Sequence, residues 1–140
     1  MMRPNHLALG AHLVARLRAE ITGVRTIEQR GEMDDLSSGS QISPALYVIY
    51  QRDVLPSDSQ SADAHNLIQQ YWLVVAVMQG NNAAAFDKAG QLLAQVRDAL
   101  LGWSPDFSYY DKLKAATPPP ALYQDGFGYY PLLFTSDFYA

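Results

Sequence analysis

The segment Leu67–Gln79, LIQQYWLVVAVMQ, constrains this chain more than any other stretch of it. It is rich in β-branched and aromatic residues, the composition of a strand. Its second half is apolar at odd and even positions alike. Side chains alternate between the two faces of a strand, so this half must be buried on both. Such a strand belongs in the middle of a sheet.

The rest of the chain arranges itself around it. A helix is expected over residues 5–22, with Asn5 as N-cap and Leu7, Ala11, Val14, Leu17 and Ile21 forming an apolar stripe. Arg16 and Glu20 make a surface pair on another face, and Gly23 reads as the C-terminal stop. A strand over Val24–Gln29 follows, then a polar loop over residues 30–43. Pro44 opens a second buried strand, ALYVIYQR, and residues 53–66 form a second polar loop. That loop is long for a compact domain, where connections run to about 4–6 residues. After the Leu67–Gln79 strand, Gly80-Asn81-Asn82 makes a turn with Asn82 as N-cap. A second helix runs to about Leu101, with Phe86, Ala89, Leu93, Val96 and Leu100 as its core face. Residues 103–120 form an aromatic loop with a short turn at Tyr110–Ala115 and three prolines at 118–120. Ala121–Gln124, the Asp125-Gly126 turn and Tyr129–Phe138 read as a β-hairpin. The expected fold is α+β in the order α-β-β-β-α-β-β: about five strands, largely antiparallel, with both main helices on one face of the sheet. At 140 residues this is a single domain.

Composition narrows the chemistry. Charged residues make up 17% of the chain, below the typical ~25%. Nine Tyr and two Trp are many for the length and suit either interfaces or an aromatic core. Residues 1–31 hold five Arg against Glu20 and Glu28, whereas residues 32–140 hold five Lys or Arg against twelve Asp or Glu. An acidic body argues against gripping nucleic acid along a broad face. The absence of cysteine excludes disulfides, thiolate metal sites and Cys nucleophiles, and it fits a protein made in a reducing cytoplasm. The opening MMRPNHLALGAHLVARL, interrupted by His6, His12 and Arg16, reads as an amphipathic helix and not as a signal peptide. No stretch approaches the ~20 apolar residues of a membrane span.

No catalytic constellation stands out. His6 and His12 are six residues apart and point to different faces of a helix, unlike an i, i+4 metal pair. His65 lies near Asp58 and Asp63 in a polar loop, which is read either as a solvated histidine or as a loose cation site. Asp34-Asp35 are adjacent loop carboxylates, not a pair held apart in different environments across a cleft. Gly126 and Gly128 follow a strand but no helix succeeds them, so they serve a turn and not a phosphate cradle. No cofactor or metal is expected, and the chain reads as a non-enzyme. What remains is adhesive: Trp103, Phe107, Tyr109 and Tyr110 cluster after the second helix. They would anchor a subunit contact if exposed, or close one end of the core if buried. The C-terminal aromatics Tyr129, Tyr130, Phe134, Phe138 and Tyr139 are expected to pair in the sheet or pack on a neighbour.

In its order of elements the chain resembles the small tail-terminator, or tail-completion, proteins of Mu-like and other long-tailed bacteriophages. The resemblance is carried by Ile21-Thr22-Gly23-Val24-Arg25 after the first helix and by the Pro44-Ala45-Leu46-Tyr47-Val48-Ile49 and Tyr71-Trp72-Leu73-Val74-Val75-Ala76-Val77 strands. It continues through the second helix, ending Val96-Arg97-Asp98-Ala99-Leu100-Leu101-Gly102-Trp103-Ser104-Pro105, and the closing hairpin near Leu133-Phe134-Thr135. It implies a homo-oligomeric ring, typically of six, at the tail–neck junction of a virion, assembled in the host cytoplasm. Its partners would be the tail tube protein below and a neck or head-completion protein above. DNA would pass through the hole without sequence readout, and no membrane would be involved. Within that reading the 53–66 loop, with Asp58, Asp63 and His65, and the aromatic loop are the expected interfaces. Three alternatives stand beside it, one of them a small hydrolase or nuclease, which metal-dependent turnover abolished by Asp58 or His65 substitution would reveal. Another neck, head-closure or tube-like component would share much of this element order, and a tube protein would polymerise openly. A monomeric bacterial binding module would bury its aromatics and never associate.

Overall fold

The computed structural model describes residues 4–31, 42–55 and 67–139. The order is α1 (Leu9–Glu20), β1 (Thr26–Arg30), β2 (Ala45–Val54), β3 (Leu67–Gln79), α2 (Ala83–Leu100), β4 (Lys114–Ala116), β5 (Leu122–Gln124) and β6 (Phe127–Tyr139). They build an α+β fold with one six-stranded sheet, ordered β1-β2-β3-β6-β4, and β5 also pairs with β6. β1 runs parallel to β2 and every other pairing is antiparallel. The short turn expected at Tyr110–Ala115 is instead an isolated bridge at Tyr110 leading into β4, which raises the strand count to six. Its Lys-Ala-Ala sequence carries no strand signal, and pairing with β6 alone makes it one.

β3 is central. β2 pairs along one of its edges from Ala45↔Val77 to Val54↔Gln69. β6 pairs along the other from Leu67↔Tyr139 to Gln79↔Phe127. Every residue from Trp72 to Met78 is buried. Trp72, Val74, Ala76 and Met78 join a core with both helices, whereas Leu73, Val75 and Val77 pack with Tyr47, Ile49, Tyr129 and Leu133 on the opposite face. In the first half of β3 the buried polar Gln70 is satisfied. Its Nε2 donates to the His6 carbonyl at 2.8 Å and its Oε1 accepts from Trp72 Nε1 at 3.2 Å.

β5 pairs residues 127–129 of β6 and β4 pairs residues 133–135 of the same strand. Pro131 falls in the intervening stretch, where a missing N–H costs no ladder bond to either short strand. β2 continues through Val54, so the second polar loop starts two residues later than the sequence suggests. A register shift between Tyr50 and Arg52 marks a bulge in β2.

The helices lie where expected, and their buried faces hold most of each expected stripe, with Val14, Leu17 and Ile21 buried at the first and Ala89, Val96 and Leu100 at the second. On α1, Leu9, Gly10, Leu13, Val14 and Leu17 are buried, while Leu7 and Ala11 are exposed. Residues 6–8 form a turn that leads into the helix, the Ala8 N–H donating to the Asn5 carbonyl at 3.1 Å, so Ala8 and not Asn5 stands at the N-cap. Asn5 Oδ1 accepts from the Leu7 N–H at 3.0 Å, and Gln70 takes the His6 carbonyl. At the other end α1 stops at Glu20 with Ile21 extended. Gly23, at φ +80°, makes the later turn into β1 and is not the helix cap.

Asn82 caps α2 as expected, its Oδ1 accepting from the Ala85 N–H at 2.9 Å. The face on the sheet is Ala85, Ala89, Leu92, Val96, Ala99 and Leu100. Ala89, Val96 and Leu100 of the expected stripe are buried, whereas Leu93 is half-buried against the core and Phe86 is 45% exposed.

Candidate interaction site

The loop after α2 is held by its own polar residues. Gly102, at φ +76°, donates to the Leu113 carbonyl, and Leu113 donates to the Trp103 carbonyl, each at 2.9 Å. Ser104 Oγ donates to the Tyr110 carbonyl at 2.9 Å, and Asp106 Oδ1 accepts from the Ser108 N–H at 2.9 Å. These turns separate the four aromatics. Tyr110 is core: it bridges to Phe138 in the sheet and stacks on its ring, centroids 5.0 Å apart. Burial first, then the Asp106 carboxylate, pushes its pKa up. Trp103 is half-buried against the helix-side core under the Arg16 guanidinium, 5.3 Å from its ring. Arg16 is held there by the Ala99 carbonyl at 3.0 Å and by Glu20 at 2.8 Å. Tyr109 is half-buried, and its carbonyl accepts from the Tyr139 N–H. Phe107, 65% exposed, is the aromatic that this loop offers to solvent. Asp58, Asp63 and His65 lie outside the described residues, as do Asp34 and Asp35.

A second aromatic surface went unseen in the sequence because Phe86 had the spacing of a core residue. Phe86 and Tyr123 meet edge to face at 6.4 Å, and Tyr123 meets Tyr130 at 5.7 Å. Tyr123 is 51% and Leu122 42% exposed. The patch is carried by the hairpin tip, where Asp125 at φ 54° and Gly126 at φ 83° form the left-handed turn that a two-residue hairpin needs. The Gly80 N–H donates to the Gly126 carbonyl at 2.8 Å and fixes the tip to the end of β3. The Tyr130 hydroxyl is buried and has no partner at hydrogen-bonding geometry. Burial, and secondarily the nearby Tyr123 phenol, pushes its pKa up to about 12.

On the other flank of α2 lies an open cleft of about 290 Å³. Val24, Pro44, Met78 and Leu92 give it an apolar lining, and Lys88, Gln91 and Gln95 from α2 add polar groups.

Elsewhere, His6 Nε2 lies 2.6 Å from Asp53 Oδ2, and the Tyr50 hydroxyl donates to Asp53 Oδ1 at 2.7 Å. This ties the segment before α1 to β2. Among the described residues no three His, Asp or Glu side chains converge to hold a metal ion, and no helix is long and apolar enough to cross a membrane.

Exposed aromatic side chains therefore stand at separate points on the surface of this α+β fold. The chain belongs to the phage tail terminator protein family, whose sequence pattern matches residues 2–140. It is thus a structural component of a phage tail. No curated protein matches it. Among solved structures, the fold is similar to that of a chain from the "Virion of native gene transfer agent (GTA) particle". The TM-score is 0.61 at 17% identity, covering 94% of this chain and 95% of that one.

Proposed function

We propose that this protein closes the tail tube by assembling as a ring, six copies in the simplest case, on the last tube ring. The match to the tail terminator family over residues 2–140 carries this reading. The mechanism is steric and adhesive and involves no catalysis. One face of the ring complements the tube subunit. The other face differs from a tube surface, so growth stops there and a neck or head-completion protein can dock. DNA passes through the hole, and an acidic body repels it where the wall is close. Phe107 and the Phe86–Tyr123 patch are exposed aromatics of the kind that anchor such contacts. The 53–66 segment is a further candidate contact with a neighbour or the tube.

The test is the mass of the purified protein by light scattering and native mass spectrometry, alone and with tube protein. The expected result is a closed ring, formed spontaneously or on the tube end, with tube length fixed once it is added. Open polymerisation would assign it to the tube instead. A monomer that never associates with tube or neck proteins would overturn the proposal.

A further inference from the structure

The two flanks of α2 differ in a way that suits head-to-tail contact between copies. On the β5–β6 side stand the exposed rings of Phe86 and Tyr123, with Asp125 exposed at the hairpin tip. On the β1–β2 side an open cleft lined by Val24, Pro44, Met78 and Leu92 carries Lys88 at its rim. Neither Lys88 nor Asp125 has an ion-pair partner among the described residues. An exposed aromatic patch beside an anion and an open cleft of mixed polar and apolar lining beside a cation complement each other in charge. They lie on opposite flanks of α2, so pairing them head to tail gives a heterologous interface, which generates rings when the rotation closes.

We infer that the occupant of the cleft is a second copy of this chain: Tyr123 and Phe86 of one subunit seat against it, with Asp125 facing Lys88. The inference rests on the ring-forming reading and names the surfaces that the ring would use. The hairpin tip is suited to this because the Gly80–Gly126 hydrogen bond at 2.8 Å pins it to the central strand. A pinned tip loses little conformational freedom on docking.

The chain contains no cysteine, so engineered pairs report without background. Tyr123→Cys and Gln91→Cys are made as separate proteins, mixed under conditions where the ring forms, and oxidised. The expected product is a mixed disulfide joining the two variants, with neither variant alone cross-linking comparably. Lys88→Glu and Asp125→Lys should each weaken self-association roughly tenfold or more, in line with central interface residues, and mixing the two reversals in one chain should restore it. Phe86→Ser with Tyr123→Ser should abolish the ring while the circular dichroism spectrum stays unchanged. A ring that forms normally with the Ser pair and yields no mixed disulfide overturns this contact and leaves the ring reading standing. A chain that stays monomeric, with or without tube protein, removes both.

Discussion

Gly10 and Gly90 are both helical, yet substitution should move stability in opposite directions. A Cβ at Gly10 would lie 2.6 Å from Gln29 Nε2 and 2.8 Å from Trp72 Cζ3. The Gln29 amide is the free end of an exposed side chain and can move. Trp72 is 0% exposed and cannot. Overpacking of about 1–3 kcal/mol then exceeds the helix gain of ~0.5–1 kcal/mol from replacing glycine. Gly10→Ala should therefore lower the urea midpoint. Nothing lies within 4 Å of a Cβ at Gly90, so Gly90→Ala should raise it, by about 0.5–1 kcal/mol of stability. Equal shifts in the same direction would show that Trp72 yields. The tyrosines make a second prediction. Burial, aided by the Asp53 hydrogen bond, pushes Tyr50 up to about 12, and burial does the same to Tyr130. Their unfolded value is near 10. Below pH ~10 both states are protonated and the contribution to stability is fully present. Between there and pH ~12 the unfolded chain ionises first, so stability falls as pH rises. Urea midpoints at pH 8, 10 and 11 should decline steeply, and Tyr130→Phe should flatten the decline. Because the Tyr130 hydroxyl is buried without a partner, that variant should cost nothing at pH 8.

Single elements differ in how far their sequences specify them. α2 is well specified: Asn82 begins it, and Asn82→Ala should cost about 1 kcal/mol in chemical denaturation, with Asn82→Asp near neutral. β3 is legible to the residue, because double-sided apolarity has few other solutions. α1 is less so. Its periodicity places a helix, but its start depends on Gln70 and Asp53, residues of β3 and β2 that engage the His6 segment. β1 shows its strand character without its direction. It lies parallel to β2, and α1 packs across both strands, with Arg18 Nε and Nη2 donating to the Ile27 carbonyl. β4 has no signature of its own. On α2 the expected stripe departs at Phe86 and Leu93, because large apolar side chains mark a core in sequence whereas Ala85 and Ala99 fill part of the buried face.

Across the whole molecule, the aromatic loop separates stability from assembly. Phe107→Ala should leave the urea midpoint within about 0.5 kcal/mol of the parent, as for an exposed side chain, and weaken capping of tubes in a length assay. Trp103→Ala removes a half-buried ring and its Arg16 contact, so it should lower stability, by less than the ~3–5 kcal/mol of a fully buried Trp. If Phe107→Ala caps tubes normally, the loop is not an interface.

The sequence by itself determined the α+β class, the central strand, the capped second helix and the closing hairpin, because these rest on local periodicity and turn chemistry. It also carried the family, through the order of those elements. Which aromatics reach solvent was decided only by the tertiary structure. Tyr110 and Phe107 lie three residues apart in one loop, yet one is core and the other surface, because a bridge to Phe138 draws the first into the sheet. Phe86 and Tyr123 lie far apart in the chain and meet only when α2 and the β5–β6 hairpin pack on the same sheet. Exposure is a property of that packing, and no local pattern encodes it.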